Sequence, residues 1–234
     1  MTQLIKIKAQ DGYDIHGFEW RLSSNQLAPQ SKSRDVVIIN PATSVRCRYY
    51  FRFAQYLFDQ GYDVVSYDYR GIGASKPKSL RGFYASWVVW GEQDFEAVLQ
   101  DTAKRYAHQK IFVVGHSIGG VLIGLAPSNH LISRIFTMGS QQAYWPDYLA
   151  GHKLGMVLKW HGAMPLIATA VGYLPAERLG WMEDTPKQVA LNWARMGRHL
   201  IPSIVKSPHQ RQLIKDRFAQ IKAPIMAFGV EDDP

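Results

Sequence analysis

The amino-acid sequence predicts an α/β fold built around a mainly parallel β-sheet. Short apolar runs alternate along the chain with longer segments of helical periodicity, which is the pattern of strands joined by crossover helices. The apolar runs are continuous rather than alternating, as in strands that are buried on both faces of a parallel sheet. With 234 residues, of which 47% are hydrophobic, the chain is long enough for one such core with an excursion.

The composition indicates the cellular compartment of the protein and limits the classes of partner that it binds. The single cysteine, Cys47, excludes an internal disulfide bond and fits a reducing compartment, so we expect a cytoplasmic protein. The N-terminal residues lack the apolar core of a secretory signal peptide. The formal net charge is +8, but the basic residues are scattered rather than clustered in a recognisable motif. We therefore expect a basic surface without a nucleic-acid partner.

The first predicted elements are an N-terminal β-hairpin and a buried strand. Residues 4–20 alternate around Asp11-Gly12, a dipeptide that favours a tight hairpin turn because glycine adopts positive φ easily. The polar segment 23–35 indicates a loop. The continuous apolar run at 35–40 ends before Pro41 and predicts the first strand of the parallel sheet.

Two further pairs of helix and strand follow in the chain. Residues 49–60 have helical spacing and end before Gly61, a residue type that is common just after a helix. The pattern then predicts a second buried strand at 62–67, a long amphipathic helix at 90–108 and a third buried strand at 110–114.

The last core elements lie on either side of an irregular segment. A short helix is predicted at 119–125 and a fourth strand at 132–138. Beyond the irregular segment, residues 210–221 predict a helix and residues 223–228 a fifth strand of the parallel type.

We therefore divide the chain into three parts. Residues 1–143 are the predicted core, residues 144–205 a helical cap insertion, and residues 206–234 a return to the core. Because the insertion leaves from the carboxyl ends of the strands, where α/β proteins bind ligands, we expect some of its aromatic side chains to line the site. The others would pack the cap on the core. The candidates are Tyr144, Trp145, Trp160, Tyr173, Trp181 and Trp193.

The longest apolar stretch lies inside the predicted cap. It covers residues 163–174 and is interrupted by Pro165 and Gly172. It is shorter than the ~20 residues of a membrane-spanning helix. We therefore expect a buried or cap helix here, and no stable membrane insertion.

The segment Gly115-His116-Ser117-Ile118-Gly119 joins a predicted strand to a predicted helix. This is the G-x-S-x-G pattern in strand–turn–helix context, where the sharp turn requires positions without side chains on both sides of the serine. The serine then lies at a helix N-terminus, whose free N–H groups stabilise an oxyanion. We therefore predict that Ser117 is a nucleophile and that the Ile118 N–H is one oxyanion donor. A dinucleotide fingerprint would need glycine at position 117, and a P-loop would need a lysine.

These residues resemble the α/β-hydrolase superfamily, and in particular a bacterial subgroup of predicted serine hydrolases and esterases. The segment 68–75, DYRGIGAS, is similar to the D-x-R-G-x-G-x-S loop of that family, and the resemblance covers nearly the whole chain. It implies structural roles for Asp68 and Arg70. It also implies a second oxyanion donor after the first central strand. Pro41 has no N–H, so Ala42 or Thr43 is the candidate.

The resemblance further implies an acid and a histidine. The acid of the family follows the strand after the cap, which leaves Asp232 and Asp233 as alternatives. The histidine of the family lies one strand further on, beyond Pro234. We therefore expect a chain that lacks the last strand, the last helix and the catalytic histidine, and that is inactive in this form. The strand edge exposed in this way favours self-association.

The sequence thus predicts a serine hydrolase that acts on an uncharged carboxylic ester or a related acyl compound through an acyl-enzyme intermediate. No cofactor and no metal are expected, because the sequence contains no cluster with metal-ligand spacing. Two alternatives remain: a non-catalytic hydrolase-like scaffold that binds an apolar ligand or a partner, and an acyltransferase that uses the same nucleophile. The fold does not distinguish them.

Overall fold

A seven-stranded β-sheet forms the centre of the protein. The structure, a computed structural model, describes residues 2–22, 34–141, 143–148 and 151–231. In chain order, the strands are β1 Thr2–Lys8, β2 Asp14–Trp20, β3 Val36–Asn40, β4 Asp63–Tyr67, β5 Ile111–His116, β6 Ile132–Met138, β7 Tyr173–Leu174, β8 Thr185–Pro186 and β9 Ile225–Phe228. The central sheet has the order β1-β2-β4-β3-β5-β6-β9, and β7 and β8 form a separate small hairpin.

Helices connect the strands. They are α1 Phe51–Asp59, α2 at 87–105, α3 Ile118–Leu122, α4 Lys153–Val171, α5 Lys187–Ala194, α6 Leu200–Ile204 and α7 Pro208–Ala219. Helix α2 is continuous but contains a π-helical stretch, Trp90–Phe95, and α4 contains another, Val157–Ala163. The helices predicted after the first, second and fourth central strands are therefore present, with ends shifted by a few residues.

The strand directions confirm the predicted mainly parallel sheet. In the described central sheet, strands β4, β3, β5, β6 and β9 run parallel to one another, whereas β2 pairs antiparallel with both β1 and β4. In β3, Val36 and Ile38 pack into the core on one face, and Val37 and Ile39 into the core on the other. Burial on both faces explains why this strand is a continuous apolar run. The parallel arrangement brings the carboxyl ends of β3, β5 and β6 to one edge.

The N-terminal hairpin is confirmed, but the connection between its strands is longer than the predicted tight turn. The Ala9 N–H donates to the Tyr13 carbonyl (2.8 Å), so five residues connect the strands. Gly12 has the expected positive φ of 85°. The Asp11 carboxylate accepts hydrogen bonds from the Tyr13 N–H and from the Arg70 guanidinium. The ion pair attaches the turn to a distant loop, and local sequence does not reveal it.

The segment between β6 and α7 is mostly helical where it is described. The small β7–β8 hairpin inside it is not predicted by the sequence, because strands of two residues leave no periodic pattern. Residues 142 and 149–150 lie outside the described residues. The cap boundaries at 144 and 205 stay a prediction.

Helix α4 begins at Lys153, well before the apolar stretch at 163–174 that predicts it. It has 19 residues and a mean hydropathy of 1.2, so in the described part of the chain it alone is long and apolar enough to cross a membrane. Those two criteria are weak evidence for a span when only one helix meets them. Only 17% of the helix window is buried.

The two faces of the sheet are covered unequally in the part of the chain that the structure describes. Helices α2 and α7 pack on one face, and α1 packs on the other beside β3 and β4. Toward β6 and β9, the second face continues as an apolar groove of about 530 Å³, lined by residues such as Phe53, Phe112, Phe136 and Met226. All four residues of β9 are exposed.

Candidate active site

Ser117 lies between the end of β5 and the first residue of α3, and its backbone is strained. Its φ is 53° and its ψ is −124°. Side-chain-bearing residues avoid this region, because Cβ crowds the neighbouring carbonyl. The Ser117 N–H donates to the Met138 carbonyl (2.9 Å), and its carbonyl accepts from the Ser140 hydroxyl (2.9 Å). The end of β6 therefore holds the strained turn in place.

Three glycines allow the turn to pack this closely. A Cβ on Gly115 would lie closer than 3.0 Å to the backbone of Gly120, and one on Gly119 would lie 2.7 Å from the Pro41 carbonyl oxygen. A Cβ on Gly120 would lie 2.9 Å from the Ser140 Cβ. The first two glycines belong to the G-x-S-x-G pattern. Gly120 must lack a side chain because Thr137 of β6 and Ser140 just after it lie too close for a Cβ. Only the fold reveals this contact.

One of the three predicted oxyanion donors has another hydrogen-bond partner in the structure. Ile118 is the first residue of α3, so its N–H has no acceptor inside the helix. The Ala42 N–H, one of the two candidates for the second donor, instead donates to the Tyr50 hydroxyl (2.9 Å). The Thr43 N–H makes no hydrogen bond within the described residues, and Thr43 lines the same cavity as Ser117. In this structure, therefore, Thr43 is the available candidate and Ala42 is not.

Tyr50 is a site residue that the sequence does not predict. Its buried hydroxyl also forms a hydrogen bond with Nδ1 of His116 (2.8 Å), the residue that precedes the nucleophile. It thus links the loop after β3 to the end of β5. Tyr50 and His116 lie 66 residues apart in the chain and meet only in three dimensions, so the sequence pattern contains no signal for this contact.

A second buried link joins the end of β3 to α3 and to β4. The Asn40 Nδ2 donates to the Gly119 carbonyl (3.1 Å), and the Tyr67 hydroxyl donates to the Asn40 Oδ1 (2.9 Å). Both Asn40 and Tyr67 are completely buried. Because Asn40 satisfies groups on two elements, it fixes the position of α3 relative to the oxyanion loop.

The loop that contains Asp68 and Arg70 has the structural role that the resemblance implies. The Asp68 carboxylate accepts from the Cys47 N–H (2.7 Å) and the Ala74 N–H (2.9 Å), and burial raises its pKa above the ordinary value. Arg70 pairs with the fully buried Asp94 (2.6 Å). Burial raises the pKa of Asp94 to about 7, while the ion pair with Arg70 acts in the opposite direction.

Ser117 lines a cavity of about 340 Å³. The other described lining residues are Ala42, Thr43, Trp87, His116, Ile118, Met138, Gly139, Gln141, Ala143, Tyr148, Met156, Trp160, Trp193 and Val230. They include no aspartate, glutamate, lysine or arginine. The cavity is therefore mostly apolar and aromatic, with few polar groups near the nucleophile.

Two of the six aromatic cap candidates line this cavity. Trp160 and Trp193 stack on each other with ring centroids 4.8 Å apart. Trp181 packs edge-on against Trp160 outside the lining, and Trp145 is exposed. The described lining does not include Tyr144 or Tyr173 either.

Trp87, on α2, is a lining residue that the sequence does not predict. Its side chain is buried, and its indole N–H has no hydrogen-bond partner in the described residues. It therefore adds a third indole to the aromatic wall of the cavity.

The predicted acids, Asp232 and Asp233, lie outside the described residues, so their roles stay predictions. Of the histidines, His116 lines the cavity, and its Nδ1 is bonded to Tyr50. His161 on the cap bonds the Ala194 carbonyl and the Tyr148 hydroxyl. Within the described residues, no imidazole forms a hydrogen bond with the Ser117 hydroxyl. No group of three or more His, Cys, Asp or Glu side chains there could hold a metal ion.

Sequence comparison gives one partial match. A family model described as "Serine aminopeptidase, S33" matches residues 31–132, which include Ser117 but make up less than half of the chain. No curated protein matches the sequence.

Solved structures are similar over most of the chain. A highly thermostable carboxyl esterase from Bacillus coagulans, solved with glycerol, is 10% identical with a TM-score of 0.56, covering 97% of this chain and 89% of that one. A hypothetical protein from Pseudomonas aeruginosa is 14% identical with a TM-score of 0.56, covering 98% and 85%. DcsB, solved with a substrate analogue, is 16% identical with a TM-score of 0.59, covering 99% and 91%. At these identities, the similarity concerns the fold alone.

Proposed function

We propose that this chain is a serine hydrolase of the α/β-hydrolase superfamily that cleaves uncharged carboxylic esters through an acyl-serine at residue 117. The observation that carries the proposal is the strained backbone of Ser117 at the start of α3, beside an apolar cavity. A positive φ at a residue with a side chain has an energetic cost and is concentrated at functional sites. The three glycines around the turn make sense together if the serine must be presented to a substrate.

The chemistry would proceed in two steps. The Ser117 Oγ attacks the ester carbonyl carbon, its proton passes to a histidine imidazole, and the carbonyl oxygen becomes an oxyanion. The N–H groups of Ile118 and Thr43 would bind that oxyanion. The imidazole then gives the proton to the departing alkoxide as the ester C–O bond breaks. In the second step, water attacks the acyl-serine and returns the proton to Ser117.

The lining of the cavity supports an ester with an uncharged acyl group. An aminopeptidase would need an acidic group to bind the ammonium of its substrate, and none lines the described part of the cavity. The stacked Trp160 and Trp193 offer flat apolar surface instead. A volume of about 340 Å³ lies at the small end for ligand cavities, which favours short or aromatic acyl groups.

The described contacts do not identify the general base. Because no described imidazole bonds the Ser117 hydroxyl, we propose that a histidine outside these described contacts is the general base, and that turnover without it is at least about 100-fold slower. In the family order, that histidine follows the acid, for which Asp232 and Asp233 remain the candidates.

Covalent labelling tests the proposed nucleophile. The protein, expressed from its complete reading frame, is treated with a fluorophosphonate probe and the adduct is located by peptide mass spectrometry. We expect the adduct on Ser117 and its loss in Ser117→Ala. The control is Ser133→Ala, which removes a half-buried serine of β6 outside the cavity lining and should label normally. Labelling that persists in Ser117→Ala would contradict the proposal.

A non-catalytic scaffold is the second candidate, and the lack of a contact between a described imidazole and Ser117 favours it. If the complete reading frame also fails to label, the cavity would serve ligand binding only. Binding of a neutral aryl ester without release of its alcohol would then identify it. Transfer of the acyl group to an added alcohol rather than to water would identify the acyltransferase alternative.

A further inference from the structure

Helix α4 has apolar side chains on two opposite sides. Its inner side chains recur every four residues at Met156, Trp160, Met164 and Ala168, and they pack against the cap core. A second apolar stripe lies two residues out of register with the inner one and faces solvent, with its members four and then eight residues apart because position 162 is glycine. It consists of Leu154, Leu158 and Leu166, which are 72%, 60% and 72% exposed.

Such an outer stripe is unusual for a surface helix. A helix at a protein–water boundary normally has one apolar side, which faces the core, and polar residues opposite. Here the inner side already satisfies the packing requirement, since Met164 and Trp160 are buried. The three leucines are therefore not needed for the contacts that hold the helix on the protein.

The helix that carries the outer stripe is positively charged, and in this structure its two ammonium groups contact the cap: Lys153 donates to the Pro146 carbonyl (2.7 Å), and Lys159 lies over the Trp160 and Trp181 rings. Lys153 and Lys159 lie on the same helix, and the sequence from 153 to 171 contains no aspartate or glutamate. The Lys159 ammonium lies 4.3 Å from the Trp160 ring centroid, and the Lys153 ammonium lies 5.8 Å from that of the exposed Trp145. Lysine and tryptophan beside an exposed leucine stripe are the residue types that bind the headgroup region of a bilayer.

We propose that the outer stripe of α4 docks the protein on the surface of an anionic lipid bilayer. The helix would lie in the plane of the interface, with its leucines among the upper acyl chains and its lysines at the anionic headgroups. The buried inner stripe keeps the helix on the protein, so this is peripheral docking and not a span. A second copy of the chain is a poorer occupant, because the formal net charge of +8 and the same lysines would repel each other.

Vesicle co-sedimentation tests the docking without reference to catalysis, so its failure leaves the Ser117 proposal untouched. The intact protein is mixed with phosphatidylcholine vesicles, and with vesicles containing about one third phosphatidylglycerol. We expect binding to the anionic vesicles to be at least about tenfold stronger. Replacement of both Lys153 and Lys159 by glutamine should reduce this binding by about fivefold per lysine.

The leucines are tested by the combined change Leu154→Gln, Leu158→Gln and Leu166→Gln, which retains good helix formers. We expect at least about a tenfold loss of binding to anionic vesicles. The matched control is Leu213→Gln on α7, where the leucine is 41% exposed, and it should bind like the parent protein. A urea-unfolding midpoint for each variant shows that it is folded.

Equal binding of the parent and the triple variant would overturn the proposal. So would equal binding of the parent to neutral and anionic vesicles. Light scattering after size-exclusion chromatography tests whether a second copy of the chain binds the outer stripe instead. A dimer that is abolished by the three leucine substitutions, in a protein that does not bind vesicles, would assign the stripe to a second copy instead.

Discussion

Gly119 lies two residues after the nucleophile, where α3 passes the end of β3. An alanine Cβ at this position would lie closer than 3.0 Å to the Asn40 carbonyl oxygen and 2.7 Å from the Pro41 carbonyl oxygen. Ordinary carbon–oxygen contacts are about 3.3–3.6 Å long, so the helix or the loop must move by more than about half an ångström. Both carbonyl oxygens belong to the backbone, which cannot rotate away as a flexible side chain can.

The cost of Gly119→Ala can be estimated from these contacts. Overpacking against rigid neighbours costs about 1–3 kcal/mol, and two carbonyl contacts place this site at the upper end. Alanine regains about 1 kcal/mol over glycine in a helix. We therefore expect a net loss of about 2 kcal/mol, which lowers the Tm of a chain of this length by about 4–8 °C.

Gly155→Ala is the matched control, because Gly155 is also a helical glycine. A Cβ at Gly155 would have no heavy atom of the described residues within 4 Å, apart from its own turn of helix, so only the helix-propensity gain applies. We expect stabilisation by up to about 1 kcal/mol. Urea unfolding followed by tryptophan fluorescence measures both variants. A Gly119→Ala variant as stable as the parent protein and labelled at the parent rate would refute the steric requirement at the turn. Equal shifts in the two variants would refute it as well.

Three further expectations concern groups near the site. Tyr50→Phe leaves the buried Ala42 N–H without its acceptor and should lower the free energy of unfolding by about 1–3 kcal/mol, whereas Tyr49→Phe at the exposed neighbour should change little. Burial and the nearby Asp68 raise the pKa of the Cys47 thiol, so native protein should resist iodoacetamide from about pH 7 to 9 and react after unfolding. The exposed apolar β9 edge should promote self-association, which Ile225→Lys should reduce in light scattering.

Each of these expectations has a clear contrary result. Equal unfolding free energies for Tyr50→Phe and Tyr49→Phe would mean that the Tyr50 hydroxyl does not hold the Ala42 N–H. Native alkylation of Cys47 that rises with a midpoint near the ordinary thiol pKa of about 8.5 would contradict its burial. A protein that is monomeric at every concentration tested would contradict self-association through β9.

The sequence predicts those parts of the fold that depend on local periodicity. The apolar patterns at 35–40 and 132–138 are regular enough to predict the strands found there. The G-x-S-x-G pattern predicts the sharp turn at Ser117. The α/β fold that the α/β-hydrolase resemblance implies is confirmed. These features share one property: each is encoded within a few neighbouring residues, so burial or backbone strain leaves a direct pattern.

The parts that the sequence does not predict depend on residues that are far apart in the chain. Tyr50 meets His116, and Asn40 meets Gly119, only because β3 and β5 are adjacent in the sheet. By its position in the chain the Ala42 N–H is a suitable oxyanion donor, but it donates to the Tyr50 hydroxyl instead. Trp87 enters the cavity from α2, and nothing in its local sequence distinguishes it from a core tryptophan. Tertiary packing, and not local sequence, determines all of these contacts.

Covalent labelling of the complete reading frame decides whether Ser117 is the nucleophile. The protein is incubated with a fluorophosphonate, digested, and examined by mass spectrometry for the modified peptide. We expect a single major adduct on Ser117, its absence in Ser117→Ala, and its retention in Ser133→Ala. No adduct in the parent protein, or an adduct that survives in Ser117→Ala, would show that Ser117 does not have this role.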